Sequence, residues 1–436
     1  MKTTNHRSNG PAMPSWEIST LANGLRVVTT PVPTSQGASA NIFIGVGSRA
    51  ESRRVNGVSH YLEHMLFKGT DRRPDAITIA EAIEGAGGVL NAYTAKELTC
   101  YWNQVPFDML DVAMDVVSDM VLHSRLDEEE IERERTVVQQ EIRRSHDQPG
   151  AWAGELMSLA VYGDQPIGWS IAGSLETVQG LTREDMVGHI ATWYTPANSV
   201  LSVAGNVTHE QVMALAERHL GGWDGAMTPA VPPASDGVAP ENVLVDLRDI
   251  SQCNVAIGLR AIPRKDPDRH PLTILNNVLG RGMSSRLFKE VRERRGLAYS
   301  VGSGISRHTD TGSLTISMGV TAENLREAIS VSLNELRRLV EEPVPEEELT
   351  KARDYASGSF RLGLEGTMSL GQRAGESLLL LGEIEPIDDV VNGLRAVTAE
   401  DVQRIAARIF RSDNLALSVV GPQTDADDLR DLLTIS

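Results

Sequence analysis

Two histidines four positions apart, with a glutamate between them, stand at His60, Glu63 and His64 in the stretch GVSHYLEHMLFKGT (57–70). On an α-helix, positions i and i+4 lie on one face about a turn apart, so both imidazoles can grip one ion. Glu63 points toward the same side, close enough to reach a water on that ion. Two imidazoles and one carboxylate form a catalytic zinc set that leaves a fourth position for water. The order His-x-x-Glu-His reverses the commoner His-Glu-x-x-His and is the inverzincin arrangement. A capped surface helix could carry the same letters, so the pentad alone lacks a third protein ligand.

The charged stretch DEEEIERERTVVQQEIRRS (127–145) offers one. Ile131, Val138 and Ile142 recur at helical spacing, and Asp127 is placed to cap the helix. Glu134 and Glu141 are seven residues apart, hence on one face. Glu141 neighbours the apolar positions Val138 and Ile142, where a purely solvated glutamate is less expected. A solvated charge-rich face fits the stretch too, but beside the pentad Glu141 becomes the leading third ligand. Glu134 is then the candidate for a carboxylate supporting the ligands from behind.

The elements that must hold these residues come in two copies. LTREDMVGHIATWY (181–194) matches VTAEDVQRIAARIF (397–410), and VLSVAGNVT (200–208) matches ALSVVGPQT (416–424), both at an offset of 216. DEEEI (127–131) matches PEEEL (345–349) at 218, so an internal duplication is expected. SANIFIGVGS (39–48) alternates as a strand, and GLRVVTTPVP (24–33) reads as an edge strand stopped by proline. The fold expected is α+β: two homologous domains, each a largely antiparallel sheet with helices packed on one face. A Pro/Gly/Ala-rich stretch at 222–242 reads as the linker, giving domains at 15–221 and 243–436. The second copy keeps the apolar skeleton but sets Thr273, Asn276, Asn277 and Ser359 opposite His60, Glu63, His64 and Glu141. One domain would do the chemistry, and the other would be its degenerate partner.

Composition narrows the partners. A formal net charge of −18 over 436 residues argues against nucleic acid, whose phosphates need a basic face. No run of about 18 apolar residues occurs, and MKTTNHRSNGPAMPSW at the start has no apolar signal core, so no membrane span and a cytoplasmic location are expected. Cys100 and Cys253 lack metal-type spacing and read as small buried hydrophobes.

Taken together, Gly47, GVSHYLEHMLFKGT and ERTVVQQE, with Glu141 77 positions after His64, resemble the insulinase/pitrilysin family of zinc metallopeptidases. The size is that of the subfamily holding mitochondrial processing peptidase and its bacterial relatives. The likeness continues through GGVLNAYTAKELTCYW (87–102) and LGRGMSSRLFKEVRERRGLAYSV (279–301). It implies a zinc endopeptidase for peptides or unfolded polypeptide, with one Zn2+ per chain on His60, His64 and Glu141. Glu63 would be the general base and Glu134 a supporting carboxylate. Arg292 and Tyr299 match the family's Arg-x6-Tyr pair, which helps hold the substrate carbonyl and developing oxyanion. Asn91, Ala92 and Tyr93 match its substrate-pairing edge strand. DQPIGWSIAG (164–173) departs from the family's usual segment there and puts the substrate pocket in doubt. Larger members fuse two such two-domain halves, so a chain of this size implies a homodimer, or a heterodimer with a related subunit. The rival expectation is a catalytically silent scaffold or peptide-binding subunit of the same fold.

Overall fold

The computed structural model describes residues 15–239, 241–422 and 426–435. Residues 1–14, read above for a signal, and the last two residues of the 416–424 match lie outside these. Six strands form the first sheet: β1 (Glu17–Thr20), β2 (Arg26–Pro31), β3 (Gly37–Ile44), β4 (Val89–Thr94), β5 (Thr99–Pro106) and β6 (Ser199–Gly205), in the order β1-β2-β6-β3-β5-β4. The second holds β7 (Val243–Leu247), β8 (Cys253–Ala261), β9 (Ala298–Arg307), β10 (Gly312–Val320) and β11 (Leu415–Gly421), in the order β7-β11-β8-β10-β9. Each sheet is antiparallel except for one parallel pair, β2 with β6 and β7 with β11. The α+β fold of two similar sheet-and-helix units is therefore what the chain forms. One expectation is corrected: β2 is no edge strand, because β1 pairs along its outer side. Pro31 is tolerated as the last residue of that strand.

The repeat extends to local chemistry. Thr182 and Asp185 form a capping box on the helix Arg183–Trp193, and Thr398 and Asp401 form the same box on Ala399–Ile409, 216 positions on. The Asn198 amide donates to the Trp193 carbonyl at 2.9 Å, and the Asn414 amide donates to that of Ile409 at 2.8 Å.

Helices of each half cover one face of its own sheet, and the opposite face takes a helix from the other half. Thr367–Leu381 lies on β3 and β6, while Pro149–Tyr162 lies on β8 and β11. The Ser202 hydroxyl donates to the Gly371 carbonyl and the Ser418 hydroxyl to that of Ala153, both at 2.7 Å. The polar alternates Ser39 and Asn41 of β3 therefore meet protein, not water, and β3 is buried on both faces. Gly371 and Gly375 permit the approach, since a Cβ at Gly375 would stand 2.2 Å from the Phe43 ring. Among the described residues no helix is long and apolar enough to cross a membrane. Cys100 and Cys253 are buried free thiols.

Candidate metal and catalytic site

The pentad occupies a short helix, Val58–Met65. Val58, Tyr61, Leu62 and Met65 are buried in the first core, which leaves His60, Glu63 and His64 half-buried on the other side. Gly57 starts it at φ +100°, and a Cβ there would meet the Ala172 carbonyl oxygen at 2.6 Å. The buried Glu51 carboxylate accepts from the Gly57 and Ser59 amides at 2.7 and 2.8 Å, satisfying N–H groups of the first turn.

The helix Glu128–Asp147 runs alongside, capped by Asp127, which accepts from the Glu129 amide. The Tyr61 hydroxyl donates to the Ile131 carbonyl, and Arg135 donates to the Leu181 carbonyl at 2.9 Å. These bonds fix the rotation of the long helix, and so aim Glu134 and Glu141. The Glu141 Oε2 lies 3.6 Å from His60 Nε2 and 3.5 Å from His64 Nε2. Ligand atoms of the three residues all lie within 4.8 Å of one another, and no other such trio of His, Cys, Asp or Glu occurs among the described residues. A tetrahedral ion with bonds of ~2.0–2.1 Å sets its ligand atoms about 3.4 Å apart, so the donor set fits zinc.

Protonation supports the fit. Glu134 Oε1 sits 2.9 Å from His64 Nδ1, fixing the proton there and leaving the Nε2 lone pair toward Glu141. Glu134 Oε2 meets Lys68 Nζ at 2.5 Å. Burial works to raise the Glu134 carboxyl, but its bonds to His64 and Lys68 outweigh this and hold it below the usual range. Burial, then the His64 charge, pushes His60 down to about 4, so its ring is neutral near pH 7. Its Nδ1 is buried without a hydrogen-bond partner among the described residues. Burial also opposes charging His64, yet the carboxylates of Glu134, Glu141 and Glu63 raise it. The two Nε2 atoms and the Glu141 carboxylate are a donor set that a divalent cation would take.

Glu63 does not join the trio. Its Oε2 accepts from the Thr94 hydroxyl at 2.6 Å, and burial raises its carboxyl above its ordinary value. Thr94 ends β4, the edge strand that carries Asn91, Ala92 and Tyr93 beside the pentad helix. Tyr93 turns to the far face, packed near Phe43 and Ala374, while Ala92 faces the pentad side. Arg292 and Tyr299 lie apart from this cluster. The Arg292 guanidinium sits 5.0 Å from the Tyr299 ring centre and 4.8 Å from that of Phe288, and Tyr299 is 81% exposed. No hydrogen bond, ion pair or ring contact among the described residues ties either to the histidines or to Glu141.

Sequence reasoning missed Thr94, Lys68 and Glu51. Lys68 stands in the turn just past the pentad helix, which ends at Met65, so helical spacing does not place it. Thr94 and Glu51 meet the pentad helix only through the folded chain. In the second half the matching positions are spent on structure: Asn276 accepts from the Ser303 hydroxyl at 2.6 Å, and the Thr273 hydroxyl donates to the Arg269 carbonyl at 2.9 Å.

Two family models match the chain in succession. The one described as insulinase (peptidase family M16) matches residues 26–174, and the one described as peptidase M16 inactive domain matches 180–355. An uncharacterized zinc protease of Streptomyces coelicolor is 38% identical over 412 residues, spanning 93% of this chain and 89% of that protein. The chain belongs to the insulinase family, peptidase family M16. A second M16 relative, an uncharacterized zinc protease of Bacillus subtilis, is 36% identical over 92% of this chain and 97% of its own length. The crystal structure of a protease from Helicobacter pylori shares the fold, with a TM-score of 0.87 at 24% identity over 94% of this chain and 100% of that one.

Proposed function

We propose that this M16 chain is a zinc-dependent endopeptidase acting on peptides or unfolded polypeptide segments. The observation that carries the reading is the convergence of His60, His64 and Glu141, with Glu63 held just outside them by Thr94. Bound zinc would polarise the scissile carbonyl and lower the pKa of a water toward ~7. Glu63 takes the proton of the attacking water and delivers it to the leaving nitrogen. Glu134 holds His64 in the ligating tautomer. The free edge of β4 at Asn91–Tyr93 takes the substrate as one more strand. Arg292 and Tyr299 steady the carbonyl from another subunit, as argued below.

Metal analysis combined with cleavage of an unfolded polypeptide tests this. One Zn2+ per chain is expected, with cleavage abolished by chelator and restored by Zn2+. Full cleavage by metal-free chain overturns the reading. A zinc-loaded chain that binds but cuts no unfolded polypeptide supports the silent, peptide-binding alternative.

A further inference from the structure

Immediately past Glu141 the long helix becomes the wall of a cleft of about 1390 Å³. Its opposite walls are the helix Pro149–Tyr162, giving Trp152, Leu156 and Leu159, and the departing loop 164–173, giving Trp169. Loop and pentad helix are fastened together. The Asn56 amide donates to the Ser170 carbonyl at 3.1 Å, and Lys96 Nζ donates to that of Trp169. The Trp169 indole N–H is held by Asp164 at 2.7 Å. The Trp152 N–H is buried with no acceptor among the described residues.

We infer that this cleft is a selectivity pocket for a large apolar, preferably aromatic, side chain of the polypeptide bound at the His60/His64/Glu141 cluster. The inference rests on the peptidase reading and extends it to substrate class. Two indoles, three leucines and Ile142 supply the apolar surface, and Leu159 is exposed despite being apolar. Charge does not compete, because the cleft wall carries three arginines and three carboxylates. Arg53 and Arg54 are paired with Asp164 and Asp185. Reach fits too: Ser145 and His146 lie one turn or more beyond Glu141, about 6–8 Å at 1.5 Å per residue. An extended peptide covers that in two or three residues at ~3.3 Å each. The selected side chain therefore stands two or three residues from the scissile bond.

Quenched peptides varied at each position within three residues of the cut, assayed with zinc-loaded full-length protein, test this. At one position Phe or Leu should exceed Ala, Arg and Asp on the order of 10- to 100-fold in kcat/KM. Leu159→Arg, at an exposed helix position, should collapse that ratio to about threefold or less while costing the Ala peptide far less. The same peptides, labelled and titrated by anisotropy against Glu63→Gln chain, separate the two readings. Apolar-selective binding without cleavage by wild type upholds the pocket and sinks the peptidase. Cleavage with no preference, with a preference for arginine, or with a preference untouched by Leu159→Arg overturns the pocket and leaves the peptidase. Neither binding nor cleavage overturns both.

Discussion

Three carboxylates surround His64, and each touches something different. Glu63 is held by Thr94 and is not one of the ligand trio, so Glu63→Gln should retain its zinc and lose ~10²–10⁴-fold in turnover. Metal analysis and a peptide assay on one preparation check both halves, and wild-type turnover would remove Glu63 as base. Glu141 contacts both Nε2 atoms, whereas Glu134 contacts only Nδ1 of His64. Glu141→Gln should therefore purify largely metal-free. Glu134→Gln should keep most of its zinc under modest chelator while weakening affinity or activity about 10–100-fold. If the Glu134 variant is the metal-free one, their roles are reversed. His60, His64 and Glu63 could be read from spacing because one helical turn places them. Thr94 could not, since it arrives on a strand 31 positions away.

The duplication was legible because the offset of 216 preserves capping boxes and carbonyl-holding asparagines. The exchange of helices between halves was not. Ser39 and Asn41 alternate with apolar residues as a half-solvated strand does, and only tertiary structure sets the helix Thr367–Leu381 over them. Its glycines carry the consequence. Gly375→Ala would gain helix propensity of about 1 kcal/mol but drive a methyl into Phe43, where overpacking costs typically ~1–3 kcal/mol or more. We expect a net loss. Gly154→Ala, on the helix making the reciprocal exchange, meets nothing within 4 Å and should be neutral or up to about 1 kcal/mol stabilising. Urea midpoints of the two variants test the contrast. An unchanged midpoint for Gly375→Ala would mean that the helix-on-sheet contact yields easily.

The two halves also meet at a buried ion network. Arg49 donates to Glu97 at 2.9 Å and to Asp310 Oδ1 at 2.6 Å, and the Thr309 hydroxyl donates to Glu97 at 2.6 Å. Burial alone would raise the Glu97 carboxyl, but its bonds to His308 and Thr309 outweigh it and hold it down to about 2. A folded-state pKa below the unfolded ~4.3 stabilises above the unfolded value and is lost as pH falls toward 2, on the order of 3 kcal/mol in all. Stability should thus fall between roughly pH 5 and 2, and Glu97→Gln should be destabilised at pH 7 with a flatter acid limb. Thermal midpoints across that range check it; parallel curves would deny Glu97 the role. Assembly raises the larger question. The ligand trio lies in the first half, and Arg292 and Tyr299 form their own cluster in the second, without contact to it. If they serve the reaction as the family likeness implies, a second subunit must bring them, most simply as a closed C2 dimer. A Glu63→Gln chain and an Arg292→Ala, Tyr299→Phe chain should each be nearly inactive alone. In a mixed dimer one site regains an intact ligand half facing an intact Arg/Tyr half, so each mixed dimer should show roughly half of wild-type activity. Differently tagged chains, exchanged, repurified as mixed dimers and assayed, give the measurement. No recovery after demonstrated exchange, or activity confined to monomer, would rule out the arrangement in trans.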